Sequence, residues 1–138
     1  MNIVLDTNVL LPAIPSKSKT HFIISSLILN KFRLMVTTDI LLEYEEIISR
    51  KMGGQVADNF LKALIKLPAV HRIEKFFFWN LISNDPGDNK FVDCAIAANA
   101  DYLVSEDNDF NILHKINFPK VNLIGQQDFL KILSELPS

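Results

Sequence analysis

The chain of 138 residues has one cysteine, four glycines and three histidines, and each shortage removes a class of chemistry. The lone Cys94 excludes an internal disulfide and a cysteine-built zinc site, and it suits a reducing compartment. There is no Gly-rich phosphate loop; the one glycine pair, Gly53-Gly54, reads as a helix stop. His21, His71 and His114 show no metal-ligand spacing. Long apolar runs are missing too. Phe22 to Leu29 is too short to span a bilayer and is broken by Ser25-Ser26. A start that runs straight into a strand is not a signal peptide, so a soluble cytoplasmic protein without membrane association is expected. Excess positive charge is also lacking. A net charge of −2 leaves no global footprint for nucleic acid, although an acidic metal cleft would itself lower that balance.

What is present is ordinary globular material, 49% hydrophobic and 22% charged, without repeats or a linker that would divide it. One domain over residues 1–138 is expected, large enough to bury roughly 68–70% of its unfolded surface. Hydrophobic patterning predicts strands at about 2–6, 33–37, 102–105 and 121–124. Helices are expected at about 18–30 (capped by Ser16 or Ser18), 39–51, 55–67, 88–100 and 126–136, with a short one near 108–115. A loop is expected around Pro12 and Pro15. In the 55–67 helix the inward face reads as Val56, Phe60, Leu64 and Leu67. Phe76-Phe77-Phe78-Trp79 and the terminal Phe129, Leu130, Leu133 and Leu136 read as core in preference to a partner surface. Strands alternating with helices predict an α/β fold with a mainly parallel sheet covered on both faces.

Asp6 is the most informative residue. Ile3-Val4-Leu5 reads as a strand buried on both faces, so a carboxylate directly after it falls at the edge where open α/β sheets bind ligands. Asp107 follows the strand at 102–105 and would reach the same opening. Asp88 opens a helix, where the dipole favours an anion. Glu43 lies in the first turns of the 39–51 helix. Taken singly, Asp88 is more often a cap and Glu43 a solvated neighbour of Glu45 and Glu46. Asp93 stands evenly between site and surface, Asp85 and Asp109 read as turn residues, and Cys94 reads as core. Jointly, convergent acids without His or Cys point to Mg²⁺ or Mn²⁺ and to phosphoryl chemistry.

The segments Val4-Leu5-Asp6-Thr7-Asn8-Val9-Leu10, Ile40-Leu41-Leu42-Glu43, Asp85-Pro86-Gly87-Asp88-Asn89-Lys90-Phe91 with Ala95-Ile96-Ala97-Ala98, and Ala100 to Asp107 together resemble the PIN-domain ribonucleases. Within them the chain looks most like the toxin components of bacterial toxin–antitoxin pairs. The resemblance implies a three-layer α/β/α sandwich and a metal-dependent endoribonuclease that cuts single-stranded RNA with a metal-activated water, leaving a 5′-phosphate and a 3′-hydroxyl. It carries over Asp6, Glu43, Asp88 and Asp107 as catalytic metal ligands and Asp93 as a further acid at the pocket. Asn8 and Ser105 become the polar residues that orient those acids, Ser105 standing where the family usually has Thr. Lys17, Lys19, His21, Arg50 and Lys51 are candidate phosphate contacts. An antitoxin protein is an expected partner, and a homodimer stays open. The rival readings are a catalytically inactive RNA- or partner-binding domain and an aspartyl-phosphate phosphatase. The latter needs a second Asp two residues after Asp6, where this chain has Asn8.

Overall fold

Ile3, Val4 and Leu5 are all fully buried. Successive strand side chains point to opposite faces, so this strand is covered on both sides. It is β1 (Asn2–Leu5), the centre of a five-stranded parallel sheet in a computed structural model that describes residues 1–75, 77–83 and 85–137. The other strands are β2 (Arg33–Val36), β3 (Val70–Arg72), β4 (Tyr102–Val104) and β5 (Leu123–Ile124), in the order β3-β2-β1-β4-β5. Ile3 stands beside Leu34 on one side and Tyr102 on the other. Helices α1 (Thr7–Ala13), α2 (Phe22–Ile28), α3 (Thr38–Met52), α4 (Gly54–Lys66), α5 (Asn89–Ala97) and α6 (Gln126–Ser134) complete a three-layer α/β/α sandwich. Phe32 and Phe129 meet edge-to-face in the core, tying the β2 entry to α6. Among the described residues no helix is long and apolar enough to cross a membrane.

Several local expectations are corrected. The loop expected at Pro12 is α1, because Val9, Leu10 and Ala13 lie at helical spacing and all bury. Pro12 comes one residue before the helix ends, where its fixed φ is tolerated and little hydrogen bonding is lost. Helix α2 starts only at Phe22 and has no side-chain cap; Ser18 Oγ accepts instead from the Thr20 N–H in the preceding turn. The buried face of α4 is Ala57, Leu61 and Leu64, which leaves Val56 exposed. Thr37 caps α3 and Gly53, at φ 95°, ends it.

The aromatic run is not core where it is described. Phe77 and Phe78 are 69% and 71% exposed, and Phe76 lies outside the described residues. Phe129 and Leu133 of α6 are fully buried, as the pattern predicted.

Candidate metal centre

The order of the strands shows where a ligand would sit. From β1 the chain winds outward through β2 to β3, then returns to the other flank of β1 for β4 and β5. The crevice at the carboxyl ends of β1 and β4 is therefore the reversal point at which open α/β sheets bind ligands. Asp6 follows β1 there, and Ser105 and Asp107 follow β4. The two strand ends are joined directly: the Asp6 N–H donates to the Val104 carbonyl at 3.0 Å, and Ser105 Oγ donates to Asp6 Oδ2 at 2.7 Å. Ser105 Oγ also accepts from the Asp107 N–H at 2.9 Å, so one hydroxyl fixes both acids. Asn8 Oδ1 accepts from the Glu106 N–H at 3.4 Å, closing the same edge.

Glu43 arrives from the second turn of α3. Thr7 Oγ1 donates to its Oε2, and Lys90 Nζ lies 2.8 Å from its Oε1. Below it, the fully buried Tyr44 donates its hydroxyl to the Leu5 carbonyl at 2.5 Å, fastening α3 to the end of β1. Asp88 closes the 3₁₀ turn Pro86–Asp88 that leads into α5. The segment before that turn is held by Asn89, whose Nδ2 donates to the Ile82 carbonyl and whose Oδ1 accepts from the Ile82 N–H, both at 2.9 Å.

Burial and mutual repulsion set the electrostatics. Burial chiefly pushes the Asp6 carboxyl up to about 6, with Glu43 and Asp107 adding to it against the Ser105 hydrogen bond. Asp88 is raised well above the usual carboxylate range by burial first, then by Asp85, Asp6 and Asp107. Its Oδ2 is buried and has no hydrogen-bond partner among the described residues. An acceptor in that state costs about 1–3 kcal/mol unless something fills it. Oxygen-only donors, one of them orphaned among the described residues, suit a hard dication such as Mg²⁺ or Mn²⁺.

Asp6 is thus within electrostatic reach of Glu43 and Asp107, and Asp88 within reach of Asp6 and Asp107. Asp93 does not point the same way. Its Oδ1 accepts from the Trp79 N–H at 3.1 Å, and the charges acting on it are Lys75 and Asp39. Two acids that read as turn residues do join Asp88: carboxylate oxygens of Asp85, Asp88 and Asp109 lie within 4.8 Å of one another. Asp85 still serves its turn, its Oδ1 accepting from the Gly87 N–H, and Asp107 caps the turn that holds Asp109, its Oδ1 accepting from the Asp109 N–H. Their place in an Asp-Pro-Gly-Asp and an Asp-Asn-Asp motif was the available signal. Lys90 had none beyond its closeness in sequence to Asp88. The cations expected at the cleft are engaged elsewhere where they are engaged at all: His21 Nδ1–H with the Ala13 carbonyl, and Arg50 with Glu46.

A family-wide pattern for the PIN domain matches residues 2–109. No curated protein matches the chain. Among solved structures, VapBC2 from Rickettsia felis, bound to a DNA fragment from its promoter, is similar over 91% of this chain and 98% of that one. It aligns at 19% identity with a TM-score of 0.62. VapBC-1 from nontypeable Haemophilus influenzae is similar over 92% and 99%, at 14% identity and a TM-score of 0.64. With its fold shared with these structures and more than three quarters of its length matched by the family pattern, the chain belongs to the PIN domain family.

Proposed function

We propose that residues 1–138 form a single Mg²⁺- or Mn²⁺-dependent endoribonuclease domain that cleaves single-stranded RNA, and that it acts in the cytoplasm as the toxin of a toxin–antitoxin pair. The observation that carries the reading is the mutual repulsion of acids from separate segments: Glu43 and Asp107 act on Asp6, and Asp6 and Asp107 act on Asp88, whose buried Oδ2 has no hydrogen-bond partner among the described residues. Folding has no use for that concentration of negative charge. Membership of the PIN domain family and the fold shared with two VapBC proteins support the same reading. An antitoxin partner belongs to it.

Asp6, Asp88 and Asp107 would hold the dication, with Glu43 as a further ligand or as an acceptor for its waters. Such an ion supplies Lewis acidity, drawing in the phosphate and making a water nucleophilic at neutral pH. The chain supplies the rest. Ser105 locks the Asp6 carboxylate in one orientation and ties it to the Asp107 backbone. Thr7 does the same for Glu43. Hydrolysis replaces the phosphorus bond to the 3′-oxygen with one to the water oxygen, leaving a 5′-phosphate and a 3′-hydroxyl.

The test is a Mn²⁺ titration by calorimetry alongside cleavage of a single-stranded RNA. Wild type should bind Mn²⁺ and cut, EDTA should stop cutting, and Asp6→Asn should do neither while remaining folded. Undiminished cleavage by Asp6→Asn would remove the assignment.

A further inference from the structure

Glu43 is the one acid of the crevice already paired with a cation. Lys90 Nζ takes one of its oxygens at 2.8 Å and Thr7 takes the other, so both carboxylate oxygens are engaged. Both ion-pair partners are half-buried, at 23% and 21% side-chain exposure. Lys90 sits in the first turn of α5, where the helix dipole disfavours a positive charge. Helix stability therefore does not account for a lysine there. Among the described residues, no other Lys or Arg forms an ion pair with an acid of this crevice.

A dication held by these acids would compete with Lys90 for Glu43, and two cations on one carboxylate repel each other. The lysine is built to give way. Its ammonium is a point charge on a flexible four-carbon stem, able to move without breaking a bidentate geometry. Lys90 would then stand two residues from Asp88, beside the acids, as a free cation at a crevice that must accept a polyanion.

We propose that Lys90 is an exchange cation: it neutralises Glu43 while the crevice is empty, and pairs with a non-bridging phosphate oxygen of the RNA once a dication has taken Glu43. This rests on the ribonuclease reading and adds the residue that meets the substrate's charge.

The test uses the full-length Lys90→Met protein, with three readouts. Mn²⁺ binding by calorimetry should tighten about threefold to fivefold, the worth of a modest ion pair no longer competing. Single-stranded RNA cleavage should fall on the order of 100-fold, as expected for removing a positive contact to developing charge. Lys90→Arg should retain most of the cleavage. A thermal melt in EDTA reports whether the fold is intact; should Lys90→Met fail to fold, Lys90→Gln carries the same comparison. A merely structural lysine predicts the opposite pattern, with Mn²⁺ affinity and cleavage falling together, and that outcome overturns the proposal. Unchanged cleavage in Lys90→Met overturns it while leaving the nuclease reading in place. A wild type that neither binds Mn²⁺ nor cuts RNA overturns both.

Discussion

Replacing Asp6 by Asn should make the metal-free protein more stable, although it destroys the proposed activity. The Asp6 carboxyl titrates at about 6 in the folded chain against an ordinary 3.8, mainly because it is buried. At about 1.36 kcal/mol per pH unit, holding it ionised in the fold costs about 3 kcal/mol above pH 6. The sign follows from the direction of the change. A raised carboxyl is protonated in both states below about 3.8 and costs nothing there; the cost grows between about 3.8 and 6 and is complete above. Asn keeps an oxygen that can accept from Ser105 Oγ and carries no charge, so about 2–3 kcal/mol should return at pH 8. For a chain of this length that corresponds to a rise of roughly 6–10 °C in Tm. Thermal melts in EDTA from pH 4 to pH 8 measure it. The gap should be widest at pH 8 and close by pH 4. Equal midpoints at pH 8, or a gap independent of pH, would refute the electrostatic account of this crevice. Mn²⁺ at 1,000 times Kd should reverse the ranking, since it stabilises the wild type by about 4.1 kcal/mol.

Three further outcomes are expected. Because Asp6 and Asp88 hold protons well above the usual carboxylate range, Mn²⁺ binding should release protons and tighten as pH rises from about 5 to 8; calorimetry in two buffers of different ionisation enthalpy checks the release. Ser105→Ala removes the hydroxyl that orients Asp6 and Asp107, and should weaken Mn²⁺ affinity by about tenfold and cost about 1.5–3 kcal/mol of stability at neutral pH. Asn89→Ala deletes both hydrogen bonds to Ile82 and should cost about 2–3 kcal/mol in urea unfolding. Hydrogen exchange at the Ile82 amide should lose its protection at the same time.

The sheet was legible because its inner strands are short β-branched or apolar runs with no polar face. Ile3-Val4-Leu5 and Leu103-Val104 have no other stable place than between two layers. Helix α1 was obscured by Pro12, which reads as a breaker until burial of Val9, Leu10 and Ala13 outweighs it. On α4 Leu64 is buried and Phe60 and Leu67 pack against the core as the pattern predicts, but Val56 is exposed and Leu61 buried, because only the neighbouring elements decide which stripe turns inward. The exposed Phe77 and Phe78 carry no periodic signal at all. At the crevice, Asp6 and Asp107 were readable from their position directly after inner strands. The pairing of Lys90 with Glu43 and the approach of Asp109 to the Asp85–Asp88 turn were not, since each depends on how distant segments are folded together. Asp93 rests on the resemblance alone, and its register on α5 turns it to the Trp79 N–H instead.

The placement of β1 has a consequence for synthesis on the ribosome. Its four residues are translated before either neighbour, and one of these, β4, follows only about a hundred residues later. Nascent chains that end before residue 107 therefore cannot bring Asp6 and Asp107 together, so the proposed metal centre forms only after β4 and the turn behind it have left the ribosome.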